Sequence, residues 1–460
     1  MKNSILKSIV AATLAVSAVA PMEAKTPSTA YFMENYLYRY RLNPAFANDN
    51  GFVAMPGLGN LGVNVDGSLG LQDVLYNVNG KTTTFLNPGV STSEVLGNIG
   101  DSNRFGVGVD VPVLAFGFKG FGGYNTFTLS TKANAEIKLP GSIFRLLKEG
   151  VSNSTYDIGN IDALATGYAE LAFNHSHKIN DEFRVGATLK VLLGAGRVNV
   201  DIEHADMVLG VNEWKIETEG KIESSIKGLT YETDINSSTG NRYVSGMDVE
   251  SPGPNGFGLG VDLGVVYTPA FMKELTITAS LLDLGFMKWN NNMLASTNGR
   301  RVFTTDRYTF NVDEDAPNNF DDELDKMGDE LSALYELSDM GDQGGKTTGL
   351  GATFSIGADY KIPVYQKLSV GVLNTTRING NFSWTDFRLL ANWEPFKLFG
   401  LAGSLSTGTY GTSFGWMGNF RFPGINLFVG MDKMFTKVAD GIPVPLTSNA
   451  NFNLGLNFTF

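Results

Sequence analysis

The chain has three histidines and no cysteine, so the side chains that most often attack, shuttle protons or hold metals are few. His175 and His177 lie two apart. On a strand they share a face at the spacing of a metal pair, but no third ligand accompanies them. Packing at a membrane interface is the other reading of that pair. His204 and Asp206 have the base and orienter types of hydrolases that work at a barrel rim, yet no nucleophile is specified beside them. The run DEDAPNNFDDELDKMGDELSALYELSDMGDQGG is acidic enough to hold Ca²⁺ but lacks EF-hand spacing, and a solvated charged face accounts for it as well. The sequence therefore specifies no catalytic residue, no metal site and no cofactor, and the expectation is that the protein is not an enzyme.

Two cations stand in more suggestive company. Arg39 and Arg41 are surrounded in sequence by Tyr31, Phe32, Tyr36, Tyr38, Tyr40 and Phe46. Such a mixture can line a pocket for an acyl chain with an anionic head. It can equally fill an enclosed space with packing. A net charge of -12 and a pI near 4.9 remove the basic footprint of a nucleic-acid binder.

The elements that must position these residues are strands. In ANFNLGLNFTF, residues 450–460, Phe452, Leu454, Leu456, Phe458 and Phe460 share one parity, while Asn451, Asn453, Gly455, Asn457 and Thr459 share the other. The same alternation predicts fourteen strands, near 61–69, 105–118, 124–139, 165–178, 183–203, 256–268, 275–288, 350–362, 368–378, 382–393, 398–408, 413–422, 425–435 and 451–460. After strands 2, 4, 6, 8, 10 and 12 the connections are short, whereas after strands 1, 3, 5 and 7 they run to roughly 35, 25, 50 and 60 residues. Short turns at one end and long loops at the other characterise transmembrane barrels, and a closed barrel satisfies every backbone group inside lipid. The fold class expected is therefore all-β: a transmembrane antiparallel β-barrel of about 14 strands. Its inner parity carries Lys132, Glu136, Lys138, Glu170, Arg184, Lys190, Asp262, Asp359 and Lys361, so the lumen should be polar.

The flanking segments complete the layout. Residues 1–24 pair a positive start, Lys2 and Lys7, with an apolar run too short to span a bilayer, the pattern of a signal peptide cleaved after Ala24, with Ala18 as the alternative. Residues 25–56 form an N-terminal hatch or plug and 57–460 the barrel, with large extracellular loops at about 204–255 and 289–349. Phe320, Leu324, Met327, Leu331 and Leu334 recur at helical spacing in the second of these, predicting an amphipathic helix over the mouth. In VDVPVLAFGF the apolar parity switches across Pro112, as at a bulge, and a weak wall there would serve as a lateral opening. Phe458 and Phe460 place aromatics at the C-terminus, where an assembly signal would be read.

The segment NPAF, Asn43, Pro44, Ala45 and Phe46, early in such a barrel resembles the N-terminal segment of the FadL/TodX long-chain fatty-acid transporters. YRLNPAFANDNGFVAMPGLGN, GRVNVDIEH and LLDLGFMKWNNN are more similar still to an uncharacterised family of Gram-negative outer-membrane barrels related to them. The resemblance implies fourteen strands, an N-terminal hatch in the lumen, and passive uptake of small hydrophobic molecules such as fatty acids, captured outside and released sideways. The partners implied are outer-membrane lipids, the barrel-assembly machinery and a hydrophobic ligand, with no nucleic acid. A non-transporting surface or secretion-associated scaffold, acting through its extracellular loops, is the alternative. A continuous apolar pocket would favour the first and a solidly packed lumen the second.

Overall fold

The computed structural model describes residues 26–434 and 449–460, except 70–72, 150–153, 210–213, 238–239, 306–325, 327–328, 332 and 335. The expected signal peptide and the predicted helical positions Phe320, Leu324 and Met327 lie outside the described residues.

Fourteen antiparallel strands close into a barrel. The first is in two pieces, β1a (Phe52–Ala54) and β1b (Leu61–Gly67). There follow β2 (Ser102–Gly120), β3 (Gly123–Pro140), β4 (Ile161–Lys178), β5 (Phe183–Leu209), β6 (Gly256–Tyr267) and β7 (Leu275–Trp289). The second half comprises β8 (Ala352–Lys361), β9 (Leu368–Ile378), β10 (Trp384–Phe396), β11 (Phe399–Gly408), β12 (Gly411–Phe422), β13 (Ile425–Lys433) and β14 (Ala450–Thr459). Each strand pairs with its sequence neighbours, and β14 returns to both pieces of β1.

Strand alternation decides which side chains meet which medium. On β14 Asn453 and Asn457 are fully buried while Phe452 and Phe458 are about half exposed, at 44% and 49%. On β5 the exposed series is Leu189, Val191 and Leu193, and the buried one Thr188, Lys190 and Leu192. The outer face is thus apolar and the inner face polar, the inverse of a soluble sandwich and the arrangement a bilayer requires. Among the described residues no helix is long and apolar enough to cross a membrane.

The wall is uneven in height. Strands β2 to β5 have 19, 18, 18 and 27 residues, whereas those from β8 to β14 have between 9 and 13. The excess length rises at the end with long connections. There β5 continues into pairing with strand Trp214–Ile226, which in turn pairs with Met293–Ser296 and Arg301–Thr304. This upper sheet has its own cores, one around Tyr156, Ile216 and Phe303, against which Leu331 and Leu334 pack. Of the predicted mouth helix, Leu331 and the neighbouring Lys326, Asp329, Glu330 and Ala333 are helical.

One expected boundary needs correction. Residues 52–54, read as hatch, belong to the wall: Phe52 pairs with Thr459 on one side and Gly117 on the other. Three residues are too few to announce a strand by alternation. What separates them from β1b is a tight turn, in which Leu58 donates to the Met55 carbonyl across Pro56 and Gly57, with Gly57 at φ +71°.

Candidate functional site

The N-terminal segment is held by inward-facing side chains from most of the wall. The hydroxyl of Tyr31 donates to Thr278 (3.1 Å), that of Tyr38 to Asn457 (2.8 Å), and those of Tyr40 and Thr128 share a hydrogen bond (2.8 Å). Burial pushes the phenols of Tyr31, Tyr36 and Tyr40 up, that of Tyr40 to about 12. The Tyr36 hydroxyl is buried without a hydrogen-bond partner among the described residues.

The NPAF motif sits at the foot of β4 to β7. Asn43 donates to the carbonyls of Val265 and Ala279 and accepts from the Ala45 amide, while Asn174 and Ser176 donate to the carbonyls of Pro44 and Ala45. The approach is close enough to require glycine in the wall: a Cβ on Gly186 would lie 2.1 Å from the Pro44 oxygen, and one on Gly264 2.1 Å from Asn43 Oδ1. Phe46 packs with Tyr31, Phe32, Leu373 and Leu390.

Arg39 and Arg41 are both engaged. Arg39 donates to the Ala47 carbonyl (2.8 Å) and lies over the Phe46 ring, 4.9 Å from its centroid. Arg41 reaches both oxygens of Asp110 at 2.7 Å. Arg39 is thus packed among aromatics, while Arg41, matched by Asp110, also borders a cavity.

Above this segment an arc of alternating charge crosses consecutive strands. Asp110 on β2 lies 3.9 Å from Lys132 on β3, which lies 2.8 Å from Glu170 on β4. Lys190 on β5 sits 2.6 Å from Asp262 on β6 and 2.7 Å from Asp283 on β7. Glu170, Lys190 and Asp262 are buried. Asp110 and Asp283 are members that residue patterning did not single out. Asp283 sits where the β6–β7 register shifts, at φ +57°. A lone acid in LLDLG was the available signal.

Two cavities follow the arc. The lower, of about 180 Å³, is bounded by Tyr31, Tyr40, Arg41 and the β2 stretch Val107–Asp110. The upper, of about 310 Å³, is bounded by Arg197, Asn199, Trp289, Asn381 and Phe382. Tyr168, Glu136 and Arg377 border both. Neither is the continuous apolar pocket that uptake of a hydrocarbon alone would call for, and neither is a solidly packed lumen.

The wall beside the lower cavity is interrupted. Pairing between β1b and β2 stops at Gly108, and pairing between β1a and β2 resumes at Phe116. Among the described residues Val109–Ala115 have no ladder partner on that side. Pro112 is in the middle of this stretch, next to a bulge at which both Val113 and Leu114 point outward.

The remaining candidates resolve simply. His175 Nδ1 is hydrogen-bonded to Asn125 (2.9 Å), with His177 beside it, and among the described residues no group of three potential ligands is placed to hold a metal. His204 and Asp206 lie 3.9 Å apart and part exposed on the upper sheet. Phe460 is largely exposed, its backbone exchanging two hydrogen bonds with Gly51.

Residues 44–432 match the family of unknown function DUF5723, and the chain belongs to that family. No curated protein matches it. Among solved structures it is similar to the Ralstonia pickettii toluene transporter TbuX, at 10% identity over 95% of this chain and 96% of that one, with a TM-score of 0.41. Similarity extends to the Pseudomonas putida toluene transporter TodX (10% identity, 95% and 93% covered, TM-score 0.36) and to a Pseudomonas aeruginosa FadL homologue (12%, 96% and 98%, 0.37).

Proposed function

We propose that the barrel lies in the outer membrane, with the short turns and both termini in the periplasm, and passively admits small molecules with an apolar body. The segment before the wall, residues 26–50, acts as the hatch that keeps the lumen from being an open pore. The observation that carries this reading is the ladder interruption at Val109–Ala115, which lies next to the stretch of β2 bounding the lower cavity. Elsewhere every backbone group on a membrane-facing strand has reason to be paired. A gap of this kind gives a solute a way into the bilayer that avoids the aqueous periplasm.

The topology is tested on intact cells: epitopes within 300–340 should be reached by antibody and epitopes at 179–181 should not. The reverse labelling sinks the orientation. Uptake is tested in vesicles carrying the purified barrel, where a labelled apolar solute should enter faster than through barrel-free bilayers. Equal rates sink the passage.

A second reading, a scaffold acting through its outer loops, is favoured by the upper sheet. Its packed cores make it a rigid platform rather than a fringe of loops. Removing residues 229–249, a separate two-stranded sheet, would leave uptake intact under the first reading and abolish partner-dependent function under the second.

A further inference from the structure

We propose that the upper cavity is a binding site for a small organic carboxylate, held by Arg197 and Arg377. The inference rests on the passage reading and adds a charge requirement to it. Most cations of the lumen are matched: Arg41 by Asp110, Lys132 by Glu170, Lys190 by Asp262 and Asp283, Arg388 by Asp432. Arg377 is not. It makes no hydrogen bond or ion pair with a described residue, its Nε is buried without a partner, and it borders both cavities.

Arg197 is in a related state. The residue is 8% exposed, its Nη1 stands 3.7 Å from Glu223 and forms no hydrogen bond, and Glu223 is already in closer contact with Lys346. A buried guanidinium N–H without an acceptor costs free energy that a bound oxyanion would recover.

The acids at this cavity do not all compete for those cations. Asp162 is held by Lys138 and by the amide of Asn381, and Asp201 by Lys221. Glu136 also borders the cavity and disfavours a multiply charged anion. Tyr168 and Trp289 give the wall a flat apolar part, suited to the body of the ligand rather than its head. A volume of about 310 Å³ limits that body to a few rings or a short chain.

The test compares benzoate with its neutral isostere benzamide, and with inorganic phosphate, by calorimetry on the barrel in nanodiscs. Benzoate should bind more tightly than either. Arg377→Gln should weaken benzoate by about tenfold, the loss of one charge-assisted hydrogen bond, while leaving benzamide unchanged. Arg377→Lys should recover part of the loss, and Arg197→Gln should repeat it. Each variant is checked for heat-modifiable migration, so that binding is compared between folded barrels. Benzoate binding no tighter than benzamide or phosphate, or undiminished in both Gln variants, overturns the site. Vesicle uptake distinguishes the two proposals: binding without passage defeats transport alone, and passage indifferent to Arg377→Gln together with undiminished binding defeats the anion site alone.

Discussion

The two walls of the barrel are polar inside in different ways. From β2 to β7 the lumen face carries full charges in two paired groups, Asp110–Lys132–Glu170 on β2 to β4 and Lys190 with Asp262 and Asp283 on β5 to β7. From β8 to β14 it carries mainly amides and hydroxyls: Asn426 donates to Asn419, which donates to the Asn35 carbonyl, and Asn451 donates to Asn64. Charge is sparser there but present, at Asp359 and Arg377, in the pairs Arg421 with Glu394 and Lys433 with Asp66, and at Arg388, whose guanidinium meets Asp432, Asp386, Thr29 and Ser404. Ionic pairs hold only while every partner is present, because a buried charge left alone is expensive, whereas a neutral amide that loses a partner forfeits one modest bond. Both walls border the cavities and both hold the N-terminal segment, but the more charged wall bears the taller strands.

The sharpest break of that contrast is Lys190→Met, which strands Asp262 and Asp283 together. It should cost roughly 3–5 kcal/mol in unfolding by urea from detergent, while Asn453→Ala on the neutral wall should cost about 1–2 kcal/mol. Equal costs would show that the charged wall is solvated rather than tightly paired. Next in size is an effect on yield. Deleting Phe460 removes a mostly exposed rim side chain and so little buried area, yet it should sharply lower the amount of heat-modifiable barrel in membranes if the assembly machinery reads that residue. Normal levels would remove the last strand from that role. The smallest expected effect is Pro112→Val, which restores an amide donor in the interrupted stretch beside the charged wall. Solute uptake should fall by a few-fold with barrel levels unchanged, and unaltered uptake would leave Pro112 as ordinary strand geometry.

The strands were readable because a lipid-facing barrel writes its fold as strict alternation, and the predicted centres of all fourteen coincide with observed strands. The bulge at Pro112 was readable for the same reason, as a switch of parity. The site was less so. Lys132, Glu170, Lys190 and Asp262 were legible as inward charges, but which of them find partners depends on diagonal neighbours across strands, and strand register is not written in one strand's sequence. Arg377 is the clearest case. Its neighbours in NTTRING look like an ordinary strand end, and only closure of the barrel leaves it facing two cavities with no hydrogen bond or ion pair to a described residue. Arg39 and Arg41 show the same dependence on closure: sequence left pocket and packing both open, and in space Arg39 stacks on Phe46 while Arg41 pairs with Asp110 at the edge of the lower cavity.

The split first strand also has a topological consequence. Only Gly51 separates Asn50, the end of the segment inside the lumen, from Phe52, where the chain joins the seam with β14. The N-terminal segment thus runs directly into the seam, and the seam strand is fastened to β14 on either side of the Pro56–Gly57 turn. Under the proposed hatch reading, the seam between β1 and β14 and the segment that precedes it share one anchor, the pairing of Phe52 with Thr459.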